Sequence, residues 1–229
     1  MRTAQNAPFA GKTLILRVDD ASVRADASTF PDDLHVLIEA QVQPIVVAPN
    51  PSAARDIVRT LNRSANVAVS LSGADGAMLP HAPNGIGRVQ TGILRTLLAA
   101  GYVPVVEPTA FTVFAEDDAP VIADDVAAAL ATATEAVRAI FFHSAGGVAD
   151  PETAQLIDEL TPAEALTIAG DPRVPEDLRA AIRAAAAGVR GGVGAAQIVD
   201  GCVPHAAIVE FLTARHVGTQ VTGGIYLAA

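Results

Sequence analysis

A chain of 229 residues with 51% hydrophobic content is long enough to bury a sizeable core, and its formal net charge of −10 disfavours phosphate backbones and anionic lipid surfaces as partners. No apolar run approaches the roughly 18 to 20 residues that a membrane helix needs, and no basic-then-apolar leader opens the chain. The single cysteine, Cys202, permits neither an intrachain disulfide nor a cysteine-built zinc cluster, so a folded cytoplasmic protein is expected, with no nucleic acid and no membrane among its partners.

Along the chain, β-like apolar runs alternate with Ala-rich helical patterns, the order of an α/β sandwich on a mainly parallel sheet. The predicted strands are TLILRV from Thr13, VQPIVVAP from Val42, NVAVSLS from Asn66, GYVPVVEP from Gly101, RAIFFHS from Arg138, AAQIVDG from Ala195 and TQVTGGI from Thr219. Helices are predicted in DDLHVLIEAQ, SAARDIVRTLNR, VQTGILRTLLAAG, ADDVAAALATATEA, TAQLIDEL, TPAEALTIAG, PEDLRAAIRAAAAG and PHAAIVEFLTARH. Thr161 followed by Pro162 is a start signal, while Gly101 and Gly188 are stop signals. The segment Asp171 to Asp177, with two prolines and a charge cluster, reads as an exposed connection. No linker-like composition shift or repeat is visible, so one domain over residues 1–229 is expected.

The first predicted strand ends in two adjacent aspartates, Asp19 and Asp20, at the turn where α/β proteins hold ligands. Two readings follow from the residues. Asp19 and Asp20 cap a turn or helix, with Asp26 and Ser28 nearby acting similarly. Alternatively they share a cleft with Asp124, with Asp125 or the acidic loop Ala115 to Pro120 beside it, and attract a divalent cation or a cationic small molecule. Arg17 paired with Asp124 would instead make a dry salt bridge. Of the histidines, His35, His205 and His216 lie in helical patterns, whereas His81 and His143 lie at loop positions. No nucleophile at a characteristic spacing accompanies them.

Three stretches carry a resemblance: AVSLSGADGAML (Ala68 to Leu79), GYVPVVEP (Gly101 to Pro108) with IADDVAAALA (Ile122 to Ala131), and QIVDGCVPHAAIVEFLTARHVGTQV (Gln197 to Val221). GIGRV from Gly85 and LTPAEA from Leu160 follow the same order. These segments resemble the N-acetylglutamate kinases of the amino-acid kinase family. The resemblance implies a three-layer αβα sandwich with an open, mainly parallel eight-stranded sheet. It further implies an N-terminal lobe of about residues 1–150 that binds the acyl amino acid, a nucleotide-side lobe of about 151–229, and phosphoryl transfer from ATP to a carboxylate between them.

Where the family holds phosphate, this sequence departs from it. The resemblance places Arg17 at a catalytic lysine and Asp19 and Asp20 at two glycines whose N–H groups approach an anion. It places Pro49, Asn50 and Pro51 in a second glycine turn, where proline removes donors. The family's Arg-x-Thr-Asp substrate motif and dimer helix have no counterpart between that turn and Ala68. Asp124 matches an aspartate that organises the catalytic lysines, His143 and Ser144 match a nucleotide-side Thr-Asp, and Arg179 stands at a second lysine. Lys12, the only lysine, lies before the strand.

Phosphoryl transfer depends on positioning and charge stabilisation, so these departures point to a kinase-like binding or regulatory protein with impaired or absent catalysis. On this reading the partners are a small-molecule ligand and either further copies of the chain or an active enzyme. A divergent kinase acting on N-acetylglutamate or a related acid, with Arg17, Asp124 and Arg179 as residual catalytic groups and ATP and Mg as cofactors, is the alternative. An oligomeric structural or storage protein is the third. No resident metal is expected.

Overall fold

The computed structural model describes residues 9–25, 29–63, 65–83, 85–112, 118–212 and 218–223. In chain order the elements are β1 (Thr13–Arg17), α1 (Asp20–Ala25), α2 (Thr29–Glu39), β2 (Gln43–Val47), α3 (Pro51–Leu61), β3 (Ala68–Leu71) and a 3-10 turn (Asp75–Ala77). The short strands β4 (His81–Ala82) and β5 (Gly85–Ile86) follow, then α4 (Gly92–Ala99), β6 (Val103–Val106), β7 (Thr109–Ala110), β8 (Ala119–Pro120) and α5 (Ala123–Ala133). The remainder comprises β9 (Arg138–Phe142), β10 (Glu159–Leu160), α6 (Pro162–Ala169), α7 (Glu176–Arg190), β11 (Ala195–Val199), α8 (Ala206–Leu212) and β12 (Thr219–Thr222).

Eight strands form one sheet in the order β10-β12-β11-β9-β1-β2-β6-β3, with β4-β5 and β7-β8 as separate two-stranded ladders. From β11 to β3 all pairings are parallel, while β12 runs antiparallel to β11 and parallel to β10. The central strands are apolar on both faces because both are covered. In β1, Ile15 joins a core with α4 to α7, whereas Leu14 and Leu16 join a second core with α2, α3 and α8. The result is a three-layer αβα sandwich.

All seven predicted strands are present. TAQLIDEL is a correction, because it forms no helix: Leu156 makes a bridge with Ala149, and Glu159–Leu160 is the edge strand β10. Leu156 and Leu160 have helical spacing, but Leu156 is 52% exposed and the pairing of β10 with β12 decides the conformation. Helix α1 was not predicted; its single turn and a half is too short to show a period.

The chain leaves β1 for β2 on one side, and β9 arrives much later on the other. At such a reversal the loops beyond the two carboxyl ends diverge and leave a crevice. Asp26 and Ser28, residues 115–117 of the acidic loop, and His216 lie outside the described residues.

Candidate functional site

Arg17 closes β1 on the face of the sheet covered by α5, and Asp124 lies in the first turn of that helix. Arg17 Nη2 donates to Asp124 Oδ2 at 3.1 Å, and Nε approaches Oδ1 at 2.8 Å without hydrogen-bond alignment. Their side chains are 14% and 7% exposed, so this is nearly a buried ion pair. Burial pushes the Asp124 carboxyl above its ordinary value and outweighs the opposing pull of Arg17 and, less, of His143. The α5 N-terminus favours a carboxylate at this position.

His143 follows β9 and is buried. Its Nδ1 accepts the Ala145 N–H at 3.0 Å, which assigns the proton of the neutral ring to Nε2. Nε2 lies 3.5 Å from Oδ2 of Asp177, in the first turn of α7.

The two aspartates after β1 behave differently from each other. Asp19 Oδ1 accepts the Ser22 N–H at 2.6 Å and also the Ser22 hydroxyl, so it caps α1. Its other oxygen, Oδ2, accepts the Ser144 N–H at 3.1 Å, across the crevice. The exposed Asp20 accepts from Asn50 Nδ2 at 3.0 Å, while Asn50 Oδ1 caps α3 by accepting the Ala53 N–H at 2.9 Å. Pro49 precedes this cap and Pro51 begins the helix, where a missing N–H costs nothing. Side chains of the chain itself thus join the turns after β1, β2 and β9. Gly201 makes room for this arrangement, since a Cβ there would collide with Ser22 and lie 2.8 Å from the Phe142 Cβ.

The capping reading of Asp19 therefore holds, and Arg17 and Asp124 form the salt bridge that was one of the open alternatives. Each of these carboxylates has a partner within the chain: Asp19 accepts from Ser22 and Ser144, Asp20 from Asn50, and Asp124 from Arg17. Among the described residues no three His, Cys, Asp or Glu side chains group closely enough to hold a metal ion. Arg179 pairs with Glu176 one turn earlier on α7, and Glu176 also accepts from Arg183 at 2.8 Å. The ion-pair partner of Arg179 is thus on its own helix. The α7 group that does reach the crevice is Asp177, which the sequence reading passed over; only its place in a helical first turn marked it.

The connection before α7 carries a separate titratable contact. Hydrogen bonds from the Arg173 guanidinium and, less, from its backbone N–H hold the Asp171 carboxyl down to about 2. A depressed carboxyl contributes stability that is complete above the unfolded value of 3.8 and is lost as pH falls toward about 2. The acid limb of wild-type unfolding should consequently be steeper in this window than that of Asp171→Asn, as read by circular dichroism from pH 5 to 2.

The sequence pattern of the amino acid kinase family matches residues 36–200, most of the chain. The chain belongs to the amino-acid kinase family. This amino-acid kinase homologue is 35% identical over 182 residues to the acetylglutamate kinase of Prochlorococcus marinus strain MIT 9303, covering 74% of the chain and 58% of that relative. It is 30% identical over 208 residues to the acetylglutamate kinase of Campylobacter curvus, covering 86% and 72%. The chain therefore spans little more than half the length of the Prochlorococcus relative. In three dimensions it is similar to N-acetylglutamate synthase of Neisseria gonorrhoeae, with a TM-score of 0.81, 18% identity, and coverage of 96% of this chain and 61% of that one. At that identity the likeness establishes the amino-acid kinase fold alone.

Proposed function

We propose that this acetylglutamate-kinase-like chain acts as a binding or regulatory protein whose anion site is filled from within. The observation that carries the reading is Asp19, whose two carboxylate oxygens accept the Ser22 and Ser144 N–H groups at 2.6 and 3.1 Å. Backbone donors around a strand-end turn are what a phosphate oxygen would need, and here a fixed carboxylate takes them. A nucleotide phosphate entering the same place would meet Asp19 and Asp20 as like charges. It would also find Pro49 and Pro51 without N–H groups in the neighbouring turn. The residues present thus do not fit the triphosphate of Mg-ATP.

The second reading, a divergent kinase for N-acetylglutamate or a related acid, is favoured by the 35% identity to a relative named acetylglutamate kinase and by the Arg17–Asp124 pair. Calorimetric titration with Mg-ATP, with and without N-acetylglutamate, separates the two. Wild type is expected to give no binding heat, and an Asp19→Gly/Asp20→Gly variant to gain affinity for ATP. Saturable ATP binding by wild type with phosphorylation of N-acetylglutamate would overturn the binding-protein reading.

A further inference from the structure

On the sheet face opposite the Arg17–Asp124 pair, α1, α2, α3 and α8 leave a half-open cavity of about 280 Å3. Its walls are mainly apolar, including Val18, Phe30, Ile57, Leu61, Phe142 and Ala207. The Phe30 and Phe142 rings meet edge to face with centroids 6.1 Å apart, which gives the cavity a firm aromatic side. The volume is nearly twice the roughly 150 Å3 that accommodates a benzene ring.

The two charged side chains that line this wall are acidic, and each has a basic neighbour, His205 beside Asp33 and Arg59 beside Asp56. Asp33 and Asp56 line it, and among its described lining residues there is no lysine or arginine. Asp33 is 2% exposed, and its Oδ1 lies 2.7 Å from Nδ1 of His205, whose side chain is half exposed. Asp56 stands at the exposed rim, 3.5 Å from Arg59 Nη1. A carboxylate that water barely reaches, beside an apolar chamber, attracts a positive charge more strongly than a surface carboxylate does. An anion would be repelled there, and a neutral apolar molecule would gain only the wall contacts.

We propose that this cavity binds a small organic cation, an ammonium or amidinium on a short apolar body, with Asp33 as its charge partner. The apolar body packs against Phe30, Ile57 and Phe142 while the cationic head approaches Asp33, the division of labour usual in small-molecule sites. The inference is independent of whether the chain phosphorylates anything, because the cavity lies on the other face of the sheet from Arg17 and Asp124. Ser22 and Gly201 belong to both places: Ser22 lines the cavity while holding Asp19, and Gly201 lines it while leaving room for Ser22.

The test uses the full chain and two probes of similar size, benzylamine as the cation and benzyl alcohol as its neutral counterpart, with binding followed by NMR titration at pH 7. Benzylamine should saturate at least about tenfold more tightly than benzyl alcohol, the margin of one charge-assisted hydrogen bond. Asp33→Asn, checked for an intact thermal transition, should erase that margin. Thr60→Phe, which fills the cavity from its wall, should weaken both probes, and it decides the matter should Asp33→Asn fail to fold. Equal binding of the probes, no saturation by either, or a preference for benzylamine that survives Asp33→Asn or Thr60→Phe would overturn the proposal.

Discussion

Replacing Arg17 with methionine is expected to destabilise the protein by about 3 to 5 kcal/mol, the usual cost of leaving one member of a buried ion pair without its partner. The pair meets the conditions for so large a loss: both side chains are mostly buried, and Arg17 supplies the Asp124 carboxylate with its close cation. The double variant Arg17→Met/Asp124→Leu should recover much of the loss, because apolar neighbours of similar volume need no compensation. Urea unfolding of the two variants measures both effects. The pH dependence has a definite sign. Asp124 has a folded value raised above 3.8 by burial, so its protonated form is favoured on folding; the stability tied to it is complete below 3.8 and lost as pH rises through the folded value. Removing Arg17 raises that value further, so the deficit of Arg17→Met should shrink as pH falls toward 4. A loss below about 1 kcal/mol at pH 7 would mean that the pair is solvated and behaves as a surface contact.

The second large effect is expected at Gly201. An alanine there places Cβ against the Ser22 side chain and 2.8 Å from the Phe142 Cβ, closer than such atoms pack. Phe142 ends β9 and is held in the core, so the movable party is Ser22 with the rest of α1. Overpacking of this kind costs about 1 to 3 kcal/mol. Its particular signature should be local: Ser22 leaves Asp19, Asp19 shifts, and the Ser144 N–H loses its acceptor. Gly201→Ala should therefore lower the unfolding midpoint and move the Ser144 amide resonance. An unchanged midpoint would show that α1 yields without resistance.

Much of the fold was legible because doubly covered strands such as β1 and β2 read as unbroken apolar runs. The elements that escaped are those decided by partners distant in sequence. β10 has two residues and exists only through β12, and α1 is held by Asp19 and the space over Gly201. At the site, the Arg17–Asp124 pair could be foreseen because opposite charges at a strand end and a helix start have one obvious partner each. The Asp19–Ser144 contact could not, since a backbone N–H carries no mark in the sequence of which carboxylate it will meet. Arg179 was placed by its match to a lysine position, whereas its ion pair with Glu176, three residues earlier, follows from helical spacing alone.

The position of β1 between β2 and β9 also shapes how the chain is made. Leu14, Ile15 and Leu16 are completely buried, yet Arg17 pairs with Phe141 across the second side of the strand. A ribosome adds roughly 5 to 20 residues per second, so β1 must wait seconds for β9 to be synthesised. Through that interval an apolar strand with an open edge is exposed to other nascent chains, the condition under which aggregation begins. Arg17, Asp19 and Asp20 border the apolar run at its carboxyl end, and charges so placed are gatekeepers that discourage pairing with a stranger. Glycines at the same turn would leave that edge unguarded, so replacing the two aspartates is expected to lower the soluble yield on rapid expression even where the finished fold tolerates the change.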